Sequence, residues 1–273
     1  MKLHWGRSCV CVLVISLVGL LAVAQDGGKT DSSGDATEYI KIARANTANF
    51  RLEDIETKAE IERVEDPVFR YTEPLRRSMQ GTMWLWGRKG RPVAVLEMFR
   101  EENQDYFCFH ATSDEPFKLS ARTGQVWTPK SSDLRFQALP NAPPPAESPA
   151  HRMRQMKEFV QKFAAHQFWM TQRYEMRILP VAVHRYEDQD QKLIDGAIFV
   201  IAVGTHPEAT LFLEAAQRTD EGKLIWEFAV GRSGTAEMVF NYDDREVHHV
   251  PLIEAFPAST NSYWRMFLKV EKK

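Results

Sequence analysis

Shifted by 115 residues, the chain partly matches itself, and this internal similarity constrains its fold more than any other feature of the sequence. Laid without gaps, residues 68–99 fall on 183–214. Val68, Arg70, Tyr71, Gly81, Pro92, Ala94 and Leu96 then meet Val183, Arg185, Tyr186, Gly196, Pro207, Ala209 and Leu211. These are seven identities in 32 positions, against about two expected from average residue usage. Trp84 with Phe199 and Met83 with Ile198 are chemically similar pairs, and 124–129 loosely resembles 245–251. Both segments are rich in Val, Phe, Trp, Tyr and Thr, with Gly, Pro, Asn and Asp between the runs, which is the pattern of short antiparallel strands. The sequence therefore predicts a mainly β (α+β) fold: two pseudo-repeated β-meanders, about 50–139 and 169–273, each burying an apolar face on the other as a sandwich or open barrel.

Local signals refine this plan. The clearest hairpin spans 81–99 around Gly87-Arg88-Lys89-Gly90. Further strands are expected near 172–178, 181–186, 196–203, 209–217, 223–230, 235–241, 245–250 and 263–270. An N-terminal helix should start at Asp35, whose spacing to Glu38 is that of a capping box, and run to about Ala48 with Tyr39, Ile42 and Ala43 on its apolar side. Between the meanders, the proline-rich run 140–149 is a stiff connector. Ser148-Pro149 then opens a linking amphipathic helix. Its apolar stripe reads Met153, Met156, Val160, Phe163 and Gln167/Phe168, so connector and helix together occupy 140–168.

The first residues carry Lys2 and Arg7 with no acid, then an apolar run from Cys9 to Val23 that ends in Ala22-Val23-Ala24. This is the layout of a signal peptide cleaved after Ala24, followed by a polar leader over 25–35. No later apolar run approaches the roughly 20 residues of a spanning helix. The expectation is an exported protein, periplasmic or extracellular, with one β-rich domain over 36–273 and no transmembrane span. Cleavage removes Lys2, Arg7, Cys9 and Cys11, turning 35 basic and 37 acidic residues into 33 and 37 and leaving Cys108 as the one thiol. A net charge of −2, or −4 after cleavage, argues against nucleic acid as a partner, because phosphate contacts need a basic surface. With one thiol no internal disulfide can form, so stability must come from packing.

Common catalytic signatures that depend on fixed spacing are missing: there is no Walker loop, G-x-G-x-x-G, G-x-S-x-G or H-E-x-x-H. No cofactor is implied. The remaining candidates are assembled from isolated residues. Glu97 and Glu214 sit in apolar strand segments, and a carboxylate pair at suitable separation could hydrolyse a glycosidic bond; pairing with an Arg is the simpler expectation. Trp84 and Trp86 share a strand face and could form a stacking platform or pack in the core. Arg91 and His206 sit at corresponding hairpin positions, where binding groups are readily built. Cys108 and His110 also share a face and are candidate metal ligands, although a free Cys among aromatics is the common packing arrangement. His248 and His249 point to opposite faces and cannot chelate together.

The segments Gly81-x-x-Trp-Leu-Trp with Gly90-Arg-Pro-x-Ala-Val95, Ser148-Pro-Ala-x-Arg-x-Arg-Gln-Met156 and Asp195-Gly-Ala-x-Phe with Gly204-Thr-x-Pro-Glu208 resemble an uncharacterised family of exported bacterial β-rich proteins. The resemblance covers most of residues 60–250. It implies export and β-rich organisation, and carries no activity, cofactor or site residue. The function expected from the sequence is a non-catalytic exported protein that binds an envelope partner or a small molecule, an apolar or sugar ligand, between the β halves and the helix. The alternative is a hydrolase of envelope or polysaccharide material acting through Glu97 and Glu214.

Overall fold

The computed structural model describes residues 32–73, 79–217 and 222–270. The expected signal peptide over 1–24 and most of the leader lie outside the described residues. The elements are α1 (Ser32–Thr47), β1 (Phe50–Asp54), β2 (Glu60–Ile61), β3 (Phe69–Glu73), β4 (Met79–Trp86), β5 (Ala94–Glu101), β6 (Gln104–Ala111), β7 (Phe117–Ala121), β8 (Val126–Trp127) and β9 (Gln137–Ala138). They continue with α2 (Pro149–Val160), β10 (Phe163–Trp169), β11 (Gln172–Ile178), β12 (His184–Asp188), β13 (Leu193–Val203), β14 (His206–Ala216), β15 (Ile225–Arg232), β16 (Glu237–Tyr242), β17 (Arg245–Val250) and β18 (Tyr263–Lys269). The protein is mainly β, with packed antiparallel sheets and two helices among the described residues.

Two meanders form the centre, and their registers correspond. In one, β3–β4–β5 pairs Tyr71 with Gly81, Gly81 with Phe99 and Trp84 with Leu96. In the other, β12–β13–β14 pairs Tyr186 with Gly196, Gly196 with Glu214 and Phe199 with Leu211. Every position in the second set lies 115 residues after its counterpart. Both glycines are required by close approach. A Cβ on Gly81 would stand 2.2 Å from the Tyr71 ring, and one on Gly196 would stand 2.4 Å from the Tyr186 ring.

Each meander gains its last strand from the other half of the sequence. β18 pairs with β6 beside β5, and β9 pairs with β15 beside β14. A smaller sheet, β2-β1-β7-β8, covers the outer face of the first meander; beside the second, β17-β16-β10-β11 continues from β13 as part of the same nine-stranded sheet, and its buried side chains pack against the outer face of β13 and β14. Three buried clusters follow. Trp84, Trp86, Leu96 and Phe109 pack with Tyr39, Leu52 and Trp127 beneath α1 and β1. Met156, Phe159 and Val160 of α2 pack with Phe199, Leu211 and Phe240. Met83, Leu85 and Val95 meet Ile198, Val200 and Phe212 at the seam between the meanders. Strand β4 thus buries both faces along its second half, which is why residues 83–86 are a continuous apolar run and not an alternation.

The turns of the two meanders dock reciprocally. The backbone N–H of Thr205 donates to Glu73 Oε2 at 2.8 Å, while Lys89 faces Asp188 at 3.8 Å and also pairs with Asp190. Glu73 and Asp188 are themselves 115 residues apart.

Two sequence expectations are corrected. Helix α1 begins at Ser32, so Asp35 lies within its first turn and not at its cap, and the leader ends earlier than expected. No proline stops the helix from extending backward, and Tyr39, Ala43 and Thr47 bury its inner stripe. Helix α2 begins as expected, with Ser148 accepting from the His151 N–H at 3.3 Å and Pro149 following, but it ends at Val160. Residues 163–169 form β10, paired on one side with β11 and on the other with β16. Phe163 fits the helical stripe of Met156 and Val160 as well as it fits a strand, so periodicity could not separate the two.

Candidate functional site

The two carboxylates singled out in the sequence occupy separate clusters. Glu214 is fully buried and accepts two bonds of 2.7 Å from Arg91 Nε and Nη2, and a third of 2.8 Å from the Tyr186 hydroxyl. Burial alone would lower the Arg91 pKa, but the bonds to Glu214 outweigh it and raise it. Glu97, 1% exposed, accepts a 2.5 Å bond from the Tyr71 hydroxyl, and its Oε1 lies 3.6 Å from His206 Nε2. Burial first, and the neighbouring carboxylates second, push both tyrosines well above the usual phenol range, so each is a hydroxyl donor at neutral pH.

Arg91 and His206 correspond at the 115-residue spacing, and each reaches from its own hairpin turn into the sheet of the other meander. Arg91 therefore belongs to a structural ion pair and not to a ligand site, which corrects the sequence expectation. His206 has a different setting. Its Nδ1 lies 3.3 Å from Glu208 Oε1, so the ring stands between two carboxylates. Phe99 and Tyr71 close on the ring edge-on, at 5.3 and 5.5 Å between centroids.

Beside His206 opens a cavity of about 420 Å³. One wall comes from a single face of the β10–β11 hairpin, which presents Gln167, Trp169 and, directly opposite Gln167, Tyr174. The facing wall is Phe99, Cys108, Tyr263 and Arg265, from β5, β6 and β18. Glu101, His206, Glu208 and residues 233–236 complete it. The site is thus built where the first meander, the strand it receives from the C-terminal end, and the outer sheet of the second half converge. Trp169 is 49% exposed at the hairpin end, and its neighbour Met170 is 88% exposed. Gln167 is only 3% exposed, and its side-chain oxygen accepts no hydrogen bond among the described residues.

Cys108 and His110 share a strand face, as expected, but serve different clusters. His110 Nε2 pairs with Asp133. The Cys108 thiol is pushed up to about 12, chiefly by burial and then by the Glu97 charge, against the lowering effects of a Tyr263 hydrogen bond and Arg265. Among the described residues no group of three or more His, Cys, Asp or Glu side chains is arranged to hold a metal. Trp84 and Trp86 are buried at 0% and 1% exposure in the core under α1, with the Arg63 guanidinium 4.4 Å from the Trp84 ring. They are not a stacking platform. The aromatic available for that role is Trp169, which sequence reading missed; a large aromatic next to Met at a hairpin end was the only local signal.

Among the described residues no helix is long and apolar enough to cross a membrane. A scan of protein-family models, a search of curated proteins and a search of solved structures each found no match to the chain.

Proposed function

We propose that this chain is an exported binding protein, built as two copies of one strand-exchanging unit, that holds a small ligand in the cavity at the seam. The observation that carries the reading is an asymmetry between corresponding positions. Arg91 and Glu214 form an ion pair on one side of the seam. Their counterparts 115 residues away, His206 and Phe99, border the open cavity on the other. One side of a common framework is locked, and the other is left concave, aromatic-walled and supplied with a few polar groups, as ligand sites generally are. The basic start, apolar run and Ala22-Val23-Ala24 ending support export. The alternative through Glu97 and Glu214 draws no support from the geometry. Each carboxylate is buried against its own tyrosine, and neither belongs to the cavity lining among the described residues.

Native mass spectrometry of the purified protein tests this reading. The expected result is a small-molecule adduct on the wild type that is absent from Gly234→Trp, a substitution that fills the cavity, with circular dichroism unchanged. A wild type that never carries a ligand, or a Gly234→Trp variant that keeps the adduct, would overturn it.

A further inference from the structure

We infer that the seam cavity takes a neutral saccharide, an inference that rests on reading the cavity as a ligand site. Three observations on its lining point to this chemistry. The first is the aromatic wall. Trp169 and Phe99 are partly exposed, Tyr174 and Tyr263 also line the cavity, and flat aromatic faces of this kind receive the apolar face of a ring while polar tips stay available. Trp169 sits at the end of the short β10–β11 hairpin, its backbone paired with that of Gln172.

The second is charge balance. The lining interleaves Glu101 and Glu208 with Arg265 and His206, and Glu208 is already turned toward His206 at 3.3 Å. An anion entering this lining meets the Glu101 and Glu208 carboxylates and a cation meets the Arg265 guanidinium, so the lining is of mixed sign. A hydroxyl both donates and accepts, and a ring bearing several can meet donors and acceptors of both kinds.

The third is Gln167. Its buried side-chain oxygen lacks a donor among the described residues, and buried acceptors in native proteins normally have one. An apolar ligand would leave that oxygen unmet, whereas a sugar hydroxyl supplies the proton.

The test is isothermal titration of the full chain with four neutral disaccharides (cellobiose, maltose, lactose and diacetylchitobiose), with glucosamine and glucuronate, and with the apolar dye 1-anilinonaphthalene-8-sulfonate. At least one neutral disaccharide should bind saturably. Trp169→Ala and Gln167→Leu should each weaken it by about tenfold, the scale of one lost stacking or hydrogen-bonding contact, with unchanged circular dichroism. Tighter binding of glucosamine or glucuronate, or binding of the dye alone, would overturn the saccharide assignment while leaving the cavity a ligand site. Disaccharide binding indifferent to both substitutions would overturn it too, because the sugar would sit elsewhere. Failure of every probe, dye included, would remove the cavity reading along with the inference.

Discussion

Arg91 closes a fork on Glu214 through two bonds of 2.7 Å, reaching from the turn of one meander into the sheet of the other. The Arg91 side chain is 21% exposed and that of Glu214 is not exposed at all. The attraction is therefore little screened, and the carboxylate cannot turn to water if its partner is lost. Arg91→Ala should destabilise the protein by about 3–5 kcal/mol, the usual result of stranding one member of a buried pair. The double variant Arg91→Met, Glu214→Gln should lose much less, because it removes the desolvated charges together and keeps an acceptor for the Tyr186 hydroxyl. Urea unfolding followed by tryptophan fluorescence measures both. If the single variant were as stable as the double one, the fork would not be what secures this side of the seam.

Much of this seam was legible in the sequence because its positions obey local rules. Tyr71 over Gly81 and Tyr186 over Gly196 recur at one spacing, and the corresponding hairpins place Arg91 and His206 at equivalent turns. His206 and Cys108 were both named from the sequence and both line the cavity. The rest of the cavity was not legible. Gln167, Trp169 and Tyr174 lie on a hairpin whose first strand continues the apolar stripe of α2, while Tyr263 and Arg265 arrive on a strand added from the chain's far end. Contacts that depend on which distant strand completes a sheet leave no trace in local spacing. Trp84 and Trp86 failed as a ligand platform for a related reason. Alternation says which side chains share a face, but both faces of β4 are covered, so neither was left to water.

Asp133 provides a pH-dependent contribution. Burial raises its carboxyl, but the charge and hydrogen bond of His110, a bond from Ser262 and the charge of Arg232 outweigh that and hold it at about 2, below its ordinary 3.8. A folded-state value below the unfolded one means that the carboxylate stabilises the fold above about pH 4. That contribution is lost as the pH falls from about 4 to about 2. The side chain is 42% exposed, so solvent screening keeps the effect modest. Asp133→Asn should be less stable than wild type at pH 7, and the gap should close by pH 2. Urea midpoints across this range give the comparison; a constant gap would mean that Asp133 acts through packing and not through its charge.

Cys108 offers a chemical probe of the same seam. Its thiol is held at about 12 by burial and by Glu97, so almost none is thiolate at neutral pH, and thiolate is the reactive form. In a chain carrying Cys9→Ser and Cys11→Ser, Cys108 is the one remaining thiol. Iodoacetamide at pH 8 should then modify the native protein far more slowly than the guanidinium-unfolded chain, and the native rate should climb steeply above pH 10. Glu97→Gln keeps an oxygen for the Tyr71 hydroxyl while removing the charge. It should therefore shift the rate–pH profile to lower pH without unfolding the protein, as mass spectrometry of the alkylated fraction would record. An unshifted profile in that variant would assign the sluggish thiol to burial alone. Because Cys108 lines the cavity, a bound ligand should slow its alkylation further, giving occupancy of the site a readout independent of binding heat.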